Sequence, residues 1–407
     1  MVRVRQLFPR PHLEDVASEL RGQLHDRDLL SGIKPGETVA IAVGSRGIAN
    51  QPAVVRALVE ELHRHGGQPF ITPAMGSHAG ATAQGQTAML QGLGFTEQSI
   101  GAPVHATMEV TEVGRTGSGM PVLVDRYALE ADHLVIVNRI KPHVCFRGPY
   151  ECGLMKMVTI GLGNQRGADI CHNLGFGKMA EHIPEIGTEA MNALPLRFGI
   201  ALLENAYHET YRVECLRPEE IVEQEPGLLE ESRRYCARLQ FDTLDTLVID
   251  EIGKDISGAG FDTNVVGRYH SPAVSGGPSI TRVAILDITA KSKGNGNGLG
   301  MADFTTKRAA EKFDGEQTYP NTLTATLTGG VKIPMTLPND QQAIQACLKT
   351  SNLMDRAEAR VVRIRNTLQL SEIEVSENML EQLKRDSRFE VLSSPYDWEF
   401  NAAGNLF

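Results

Sequence analysis

Residues 39–72 read VAIAVGSRGIANQPAVVRALVEELHRHGGQPFIT. The first five residues are an uninterrupted apolar run, which predicts a short buried strand, and a glycine-containing loop follows them. Apolar residues then recur at helical spacing from 51 to 65, and two glycines end this pattern before a second apolar run at 69–72. A strand, a helix and a second strand in this order form the crossover unit of a parallel sheet. The stretch therefore predicts an α/β fold.

The same pattern continues toward the C-terminus. Residues 134–137 predict a third buried strand. A charged helical region at 218–240 carries six acidic residues and is predicted to be a solvated connector or an outer helix. Beyond it, strands are predicted at 244–250 and 282–289, each followed by a glycine-rich loop, and a helix is predicted over 303–312. The second half of the chain thus predicts a further α/β module.

The length of the chain supports a division into domains. Its 407 residues exceed the roughly 250–300 residues at which a single core stops growing. We therefore expect two α/β domains with parallel-type sheets, residues 1–240 and residues 241–407. The first domain would carry the catalytic residues. The second would close an interdomain cleft that holds the active site, which is a common position for ligands.

Composition excludes several classes of partner. The net charge of −10 argues against a nucleic-acid partner, because phosphate binding needs a basic footprint. No apolar run approaches the ~20 residues of a membrane span, and the N-terminus lacks the apolar core of a signal peptide. The six cysteines form no CxxC pair, which disfavours a zinc ribbon. We expect a cytoplasmic protein without a nucleic-acid or membrane partner; its oligomeric state is left open.

Residues 138–182 are predicted to be the functional centre and read NRIKPHVCFRGPYECGLMKMVTIGLGNQRGADICHNLGFGKMAEH. Histidines, lysines and arginines lie here between apolar runs and glycines, which allow the backbone to approach a ligand closely. His143 in this stretch, and Arg46 and His78 before it, each follow the end of a predicted strand. In open α/β sheets, ligands bind outside the carboxyl ends of the strands. We therefore expect these three side chains at one edge of the sheet.

Two histidines are candidates for proton transfer. His78 lies in the loop MGSHAGAT, and His143 follows a Lys-Pro pair directly after a strand. The ordinary pKa of imidazole is the closest to neutral pH, which suits general acid–base catalysis. The alternative for His78 is a loop histidine that caps the following helix. The alternative for His143 is a structural histidine bonded to a carbonyl.

Lys156 and His172 are candidates for covalent attachment and for metal binding. Lys156 lies in the apolar sequence GLMKM, where desolvation can leave a neutral amine that attacks a carbonyl or thioacid. The alternative is a lysine that extends its ammonium out of an apolar patch. His172 and Cys171 could ligate a metal, since imidazole suits nickel, zinc and copper, but the side chains of adjacent residues rarely converge on one ion.

Two glycine clusters suggest phosphate binding. Residues 161–167 have the spacing GxGxxxG, which is one residue longer than the Rossmann fingerprint and disfavours NAD. Residues 294–300, GNGNGLG, precede the predicted helix that has Asp303 in its first turn. Backbone N–H groups at such a helix start favour phosphate or carboxylate, although Asp303 also fits an ordinary N-cap.

Taken together, these motifs resemble those of the nickel-pincer lactate racemase superfamily, as a divergent lactate racemase-like group. The resembling elements span about residues 40–182 and are, in chain order, GSR at 44–46, Gly-Ser-His at 76–78, KPH at 141–143, Lys156, and His172 sixteen residues beyond it. Members of this superfamily interconvert stereoisomers of 2-hydroxy acids. The resemblance therefore implies an isomerase, namely a racemase or epimerase whose substrate is a small-molecule 2-hydroxy acid.

The resemblance also implies nickel and a nucleotide, pyridinium-3,5-bisthiocarboxylic acid mononucleotide. By position, Lys156 would hold this cofactor through a thioamide, and His172 would be the protein ligand to nickel beside a ring carbon and two sulfurs. His78 and His143 would be paired bases on opposite faces of the substrate, and Arg46 would bind its carboxylate. The implied reaction is proton removal from the 2-hydroxyl, hydride transfer from C2 to the cofactor, and hydride return to the other face of the 2-keto acid. Cofactor maturation enzymes are implied as partners.

The sequence departs from the family pattern in its substrate-binding residues. Gly44 and Ser45 stand where the family has an acidic residue before the first arginine motif. Lys307 and Arg308, in ADFTTKRA, stand where the family has a glutamine–lysine pair. We expect one of these two cations to bind the substrate, without a preference between them. The substrate therefore need not be lactate.

Three further cations, at Arg139, Arg147 and Lys254, suggest a larger or more anionic substrate. Each could equally pair with a surface carboxylate, which is the commoner outcome.

Two other classes of function stay open. A metal-free epimerase or a zinc-dependent hydrolase could use the same histidines, and would carry no covalent adduct on Lys156. A non-catalytic protein could bind the cofactor or another small anion, so that replacement of His78 or His143 would remove no activity.

Overall fold

The architecture is taken from a computed structural model, which describes residues 1–45 and 47–407. The strands, numbered in chain order, are β1 Val2–Gln6, β2 Thr38–Val43, β3 Gln68–Pro73, β4 Val110–Arg115, β5 Pro121–Asp125, β6 His133–Arg139, β7 Leu196–Glu204, β8 Thr210–Leu216, β9 Thr243–Ile252, β10 Ser279–Ile288, β11 Phe304–Thr306, β12 Met335–Leu337, β13 Val361–Ile364, β14 Glu372–Val375 and β15 Phe389–Val391.

The α-helices lie between these strands, joined by short 3₁₀ turns. They are α1 Val16–Asp26, α2 Gln51–Arg64, α3 Ala83–Gly92, α4 Glu97–Ile100, α5 Arg126–Glu130, α6 Leu154–Lys156, α7 Asn164–His172, α8 Met179–Ala193, α9 Pro218–Tyr235, α10 Thr263–Val266, α11 Lys307–Lys312, α12 Gly315–Ala325, α13 Asp340–Thr350 and α14 Leu380–Leu383. None of the helices among the described residues is both long enough and apolar enough to cross a bilayer.

The chain divides into two compact units. The N-terminal unit is Arg10–Cys236, and the C-terminal unit combines Met1–Pro9 with Ala237–Phe407. This division corrects the predicted domain 1–240 at its start, because β1 pairs with β14 and β15 of the other unit. The correction has a simple physical reason: β pairing between the two ends of a chain leaves no local signal in the sequence.

The N-terminal unit is built on a five-stranded sheet in the order β3-β2-β6-β7-β8. The first four strands are parallel, and β8 runs antiparallel to β7. Strand β2 has parallel neighbours on both sides, and its residues Val39–Val43 are completely buried. This is why it reads as a continuous apolar run rather than an alternating one. The predicted α/β fold and its crossover β2–α2–β3 are confirmed.

The C-terminal unit is built on an eight-stranded mixed sheet in the order β12-β11-β10-β9-β13-β14-β1-β15. The strands from β12 to β13 in this order are parallel to one another. The remaining three, β14, β1 and β15, run antiparallel to their neighbours. A second α/β module is thus present, with an antiparallel edge that the sequence patterns did not indicate.

The helix predicted over 303–312 is shorter than expected. It begins at Lys307, after Thr306 caps it by accepting a hydrogen bond from the N–H of Ala309. Residues Phe304–Thr306 instead form β11, because they pair with β10. Asp303 is not an N-cap, since its carboxylate accepts the N–H of Val283 at 2.8 Å. The glycine cluster at 294–300 therefore leads into a 3₁₀ turn and β11, and not into the α-helix start on which the predicted anion site depended.

Of the two predicted possibilities, a solvated connector and an outer helix, α9 is the outer helix. Its residues Ile221, Glu225, Leu228, Leu229 and Ser232 are buried. They recur at helical spacing and form one face of the helix, while the remaining acidic residues lie elsewhere on its surface. One acidic residue, Glu225, thus occupies a core position.

Candidate functional site

The candidate site residues of the N-terminal unit follow the carboxyl ends of its parallel strands. His78 comes after β3 and His143 comes after β6. Arg46, predicted after β2, lies outside the described residues. Its neighbour Gly44 lies so close to β6 that an added Cβ would be 3.6 Å from Asn138 Oδ1. The loops after β2 and β6 are therefore adjacent, as expected for neighbouring parallel strands.

Lys156 and His172 lie on two helices joined by a π-helical turn. Lys156 ends α6, and the turn Met157–Gly161 follows it directly. In this turn the N–H of Leu162 donates to the carbonyl of Met157 at 2.9 Å, five residues back. Such turns occur frequently at functional sites. His172 is the last residue of α7, which starts three residues after the turn.

The loop that carries His78 is held against this π turn. The N–H of Gly76 donates to the carbonyl of Gly161 at 3.1 Å. Gly76 has φ +56°, and an added Cβ would lie 3.2 Å from the carbonyl oxygen of Ile160. Only glycine fits this position without strain. The hydrogen bond of Gly76, two residues before His78, thus fixes the His78 loop against the segment that follows Lys156. The Nδ1 of His78 contacts Ser45 Oγ at 2.5 Å.

The rings of Phe146 and Phe176 lie beside three of the predicted side chains. The ring of His143 lies 4.4 Å from that of Phe146 and 6.0 Å from that of Phe176, centroid to centroid. The His172 ring meets Phe176 edge-on at 5.3 Å, and Lys156 Nζ lies 5.7 Å from the centre of Phe146. The fold thus gathers His143, Lys156 and His172, which the sequence separates by up to 29 positions, 172 − 143.

Both of these imidazoles are held neutral. Burial lowers the pKa of His143 well below its usual range, and the positive charge of Lys156 lowers it further. Burial likewise lowers the pKa of His172 to about 4, against the raising effect of its hydrogen bond to the Ala168 carbonyl. Neutral imidazoles can serve as bases, hydrogen-bond donors or metal ligands, whereas imidazolium cannot ligate a metal.

His172 is oriented as metal-binding histidines usually are. Its Nδ1 lies 2.6 Å from the carbonyl oxygen of Ala168. A carbonyl only accepts, so Nδ1 carries the hydrogen and Nε2 carries the lone pair. Among residues 1–45 and 47–407, no three His, Cys, Asp or Glu side chains are grouped as metal ligands.

Cys171 is packed against a methionine. Its thiol is buried and contacts Met179 Sδ at 3.6 Å. In the metal-free protein, burial raises the pKa of this thiol to about 12.

The structure adds Glu151 and Arg233, which the sequence motifs did not single out. Glu151 is completely buried; its Oε2 accepts the N–H of His143 at 2.6 Å, and its Oε1 accepts the N–H of Gly148 at 3.2 Å. Arg233 of α9 donates to Oε1 at 2.5 Å. This carboxylate ties both ends of the His143 loop to α9. The only sequence signal for Glu151 was its position within residues 138–182, the predicted functional centre.

Glu225 is a second addition from α9. It is fully buried, and its Oε2 accepts the N–H of Met155 at 2.9 Å, at the start of the helix that carries Lys156. Its Oε1 has no hydrogen-bond partner among the described residues. Burial raises the pKa of Glu225 to about 8. The spacing Ile221-Glu225-Leu228 could have revealed it, since it puts a glutamate on the apolar face of a helix.

This pKa predicts a pH-dependent contribution to folding. In the unfolded chain a glutamate has a pKa of about 4.3, so between about pH 4.5 and pH 8 only the folded state binds the proton. The free energy of unfolding therefore falls as pH rises through this window. Glu225→Gln should remove this slope and raise the unfolding free energy at pH 8 by an amount on the order of a few kcal/mol.

Urea unfolding at several pH values between about 5 and 8 measures the effect of Glu225→Gln. Glu181→Gln is the matched control, because Glu181 is exposed and pairs with Lys178 at 2.9 Å. Equal slopes in wild type and Glu225→Gln would contradict the assignment.

The two cations predicted to bind substrate lie on α11 of the C-terminal unit and differ in their surroundings. Arg308 contacts Asp340 at 2.9 Å and Asp287 at 3.3 Å, and it stacks 4.5 Å above the Phe407 ring. Lys307 has an exposed side chain, 3.5 Å from Glu311. Arg308 is thus part of a packed ion-pair network, whereas Lys307 is the more accessible of the two.

The three further cations have protein partners. Arg139 donates to Glu204, which also accepts the N–H of Ala49 at 2.6 Å. Arg147 donates to the carbonyl of His143 at 2.7 Å and lies 3.5 Å from Glu151. Lys254 donates to the Gly258 carbonyl at 2.7 Å and to Asn321 at 2.6 Å. These contacts give each cation a structural role; Arg139 pairs with a buried carboxylate rather than a surface one.

Comparison with known proteins gives one family match and one similar fold. Residues 9–183 match the family model described as the lactate racemase N-terminal domain. The fold is similar to the structure of the lactate racemase apoprotein from Thermoanaerobacterium thermosaccharolyticum, with a TM-score of 0.54 and 13% sequence identity. That match covers 90% of this chain and 94% of the other. No curated protein sequence matches the chain.

Proposed function

We propose that this chain, whose residues 9–183 match the lactate racemase N-terminal domain, is a racemase or epimerase of a 2-hydroxy acid that works with a lysine-tethered nickel-pincer nucleotide. The observation that carries the proposal is the cluster of Lys156, His143 and His172 around Phe146 and Phe176, with both imidazoles neutral. A relation to lactate racemases supports an isomerase. The nickel cofactor and the 2-hydroxy acid go further and are our inference.

The residues present fit such a group. Lys156 is partly enclosed, and an amine in that setting can form the thioamide. His172 offers one nitrogen lone pair, and a single protein ligand suffices only where the bound group brings the others. When bound, the nickel-pincer nucleotide supplies an acceptor and donor of hydride. The Phe146 and Phe176 rings would keep water from the reacting atoms.

The remaining roles fall to other side chains of the chain. His78 and His143 would act on the 2-hydroxyl, one by moving its proton and the other by proton transfer or hydrogen bonding. Arg46 would hold the substrate carboxylate. Of the two C-terminal candidates for substrate binding, Lys307 is more accessible than Arg308. Cofactor maturation enzymes would have to act on the protein beforehand.

A zinc hydrolase is less well supported. Catalytic zinc is usually held by three protein ligands. The described part of the chain groups no three side chains of the required types.

The test is to co-produce the protein with cofactor-making enzymes and to measure peptide mass, metal content and racemisation of a panel of chiral 2-hydroxy acids. We expect a mononucleotide-sized adduct on the Lys156 peptide, stoichiometric nickel and turnover of one substrate class. His172→Ala should lose nickel but keep the adduct. Unmodified Lys156 with zinc or no metal would refute the cofactor, and unchanged nickel in His172→Ala would place the ligand elsewhere.

A further inference from the structure

The geometry points to a division of labour between the two catalytic histidines: His143 presents an Nε2–H donor to the substrate oxygen, and His78 alone takes the hydroxyl proton. This inference rests on the proposed function and refines it, since resemblance by itself would make the two histidines equivalent bases.

The first observation is the hydrogen bond at His143 Nδ1. The backbone N–H of Cys145 donates to this nitrogen at 3.1 Å. A backbone amide nitrogen can only donate, so Nδ1 must be the accepting, unprotonated nitrogen of the ring. A neutral imidazole carries one hydrogen, which is then on Nε2. In this tautomer Nε2 can donate a hydrogen bond but cannot accept a proton.

The second observation is that the loop cannot easily release this bond. Glu151 accepts the N–H groups of His143 and Gly148, which flank Cys145 in the chain. Arg147 donates to the carbonyl of His143 at 2.7 Å, and Arg233 anchors Glu151 at 2.5 Å. The other tautomer would bring an Nδ1–H against the N–H of Cys145. The fixed backbone thus selects the tautomer.

Protonation of both ring nitrogens is also opposed. Burial disfavours the imidazolium form of His143, and the nearby positive charges of Lys141 and Arg147 add to the effect; the charge of Lys156 does so only before its amine is acylated. An imidazolium would in addition lose the hydrogen bond from Cys145. His143 therefore stays a neutral donor throughout the reaction.

His78 has the opposite kind of partner. Its Nδ1 contacts the hydroxyl of Ser45, and a hydroxyl can either donate or accept. The contact therefore persists whether Nδ1 carries a hydrogen or not, so it does not oppose a change of protonation state. Because the Cys145 N–H excludes His143 from the role of base, His78 is the histidine left to take up and return the proton.

The two roles combine into one proton balance at the substrate oxygen. His78 would take the proton of the 2-hydroxyl as this group becomes the carbonyl of the 2-keto acid, and would return the same proton when the alcohol forms again. The Nε2–H of His143 would donate a hydrogen bond to that oxygen. A bound cofactor of the proposed class would supply the acceptor and donor of hydride for C2.

Glutamine variants separate a donor from a base, since an amide can donate a hydrogen bond but cannot take a proton at neutral pH. Loss of a preorganised donor lowers kcat by roughly 10²–10³. We expect His143→Ala to show such a loss and His143→Gln to regain at least about tenfold of it. His78→Gln should be as inactive as His78→Ala. A His143→Gln enzyme no better than His143→Ala, or an active His78→Gln enzyme, would overturn the inference.

The tautomer itself can be measured without activity. Nitrogen NMR of the ¹⁵N-histidine-labelled apoprotein at neutral pH, with His143→Gln to assign the signals, reports which ring nitrogen is protonated. We expect an unprotonated Nδ1 and a protonated Nε2 at His143. A protonated Nδ1 overturns the inference whatever the activities are. The expected tautomer in a protein without any racemase activity would instead count against the proposed function.

Discussion

Replacement of Lys156 by arginine is expected to abolish both the covalent adduct and racemase activity while leaving the fold intact. Guanidinium stays protonated at all relevant pH values, so it cannot attack a thioacid as a neutral nucleophile. It is similar to lysine in length and can keep the contact that Lys156 Nζ makes with the Phe146 ring at 5.7 Å. The expected effect is therefore on chemistry and not on packing.

Peptide mass, nickel content and turnover of co-produced protein measure the Lys156→Arg effect. Lys178→Arg is the matched control, because Lys178 lies in the same functional stretch but is exposed and pairs with Glu181 at 2.9 Å. The control should carry the adduct like wild type. An adduct that persists on another residue of Lys156→Arg, or turnover without an adduct, would show that Lys156 is not the tether.

The second large effect is expected on stability, from Gly153→Ala. Gly153 precedes α6, and an added Cβ would lie 1.9 Å from Glu225 Oε1 and 2.7 Å from its Cδ. Glu225 is fully buried, so its side chain has no open space into which to move. Overpacking of a dense interior costs typically ~1–3 kcal/mol, and this clash belongs at the upper end. We expect a loss of about 3 kcal/mol in the free energy of unfolding.

Urea unfolding of Gly153→Ala measures this loss. Gly227→Ala on α9 is the control, because a Cβ added at Gly227 would have no atom within 4 Å and alanine favours a helix. In a Glu225→Ala background, Gly153→Ala should lower the free energy of unfolding by far less than it does in the wild-type background. An equal cost in both backgrounds would mean that contact with Glu225 is not the cause.

The parts of the site that could be predicted are those with a local signal. Residues 39–72 predicted the β2–α2–β3 crossover because a buried strand and an amphipathic helix can each be recognised from a short run of consecutive residues. The rule that ligands lie at the carboxyl ends of parallel strands then singled out His78 and His143. Lys156 was singled out by its apolar neighbours and His172 by its place beside Cys171, and the family resemblance gave both residues their expected roles. Their roles stay predictions until the variants are measured.

Other parts had no such signal. The motif in ADFTTKRA predicted a helix from 303, whereas pairing with β10 turned Phe304–Thr306 into a strand. The acidic content of α9 left a solvated connector and an outer helix open and did not reveal that α9 supplies Glu225 and Arg233 to the site. In both cases contacts distant in sequence overrode the local composition.

The sequence by itself determined the fold class and the order of the chemical groups, because periodicity, glycine placement and residue type act over a few positions. Only the tertiary structure decided how those groups are used. It placed Cys145 N–H against His143 Nδ1, Ala168 against His172, and two buried glutamates beneath the His143 and Lys156 segments. Protonation and tautomer depend on burial and on the partner that each ring nitrogen meets, and both arise only when distant segments pack together.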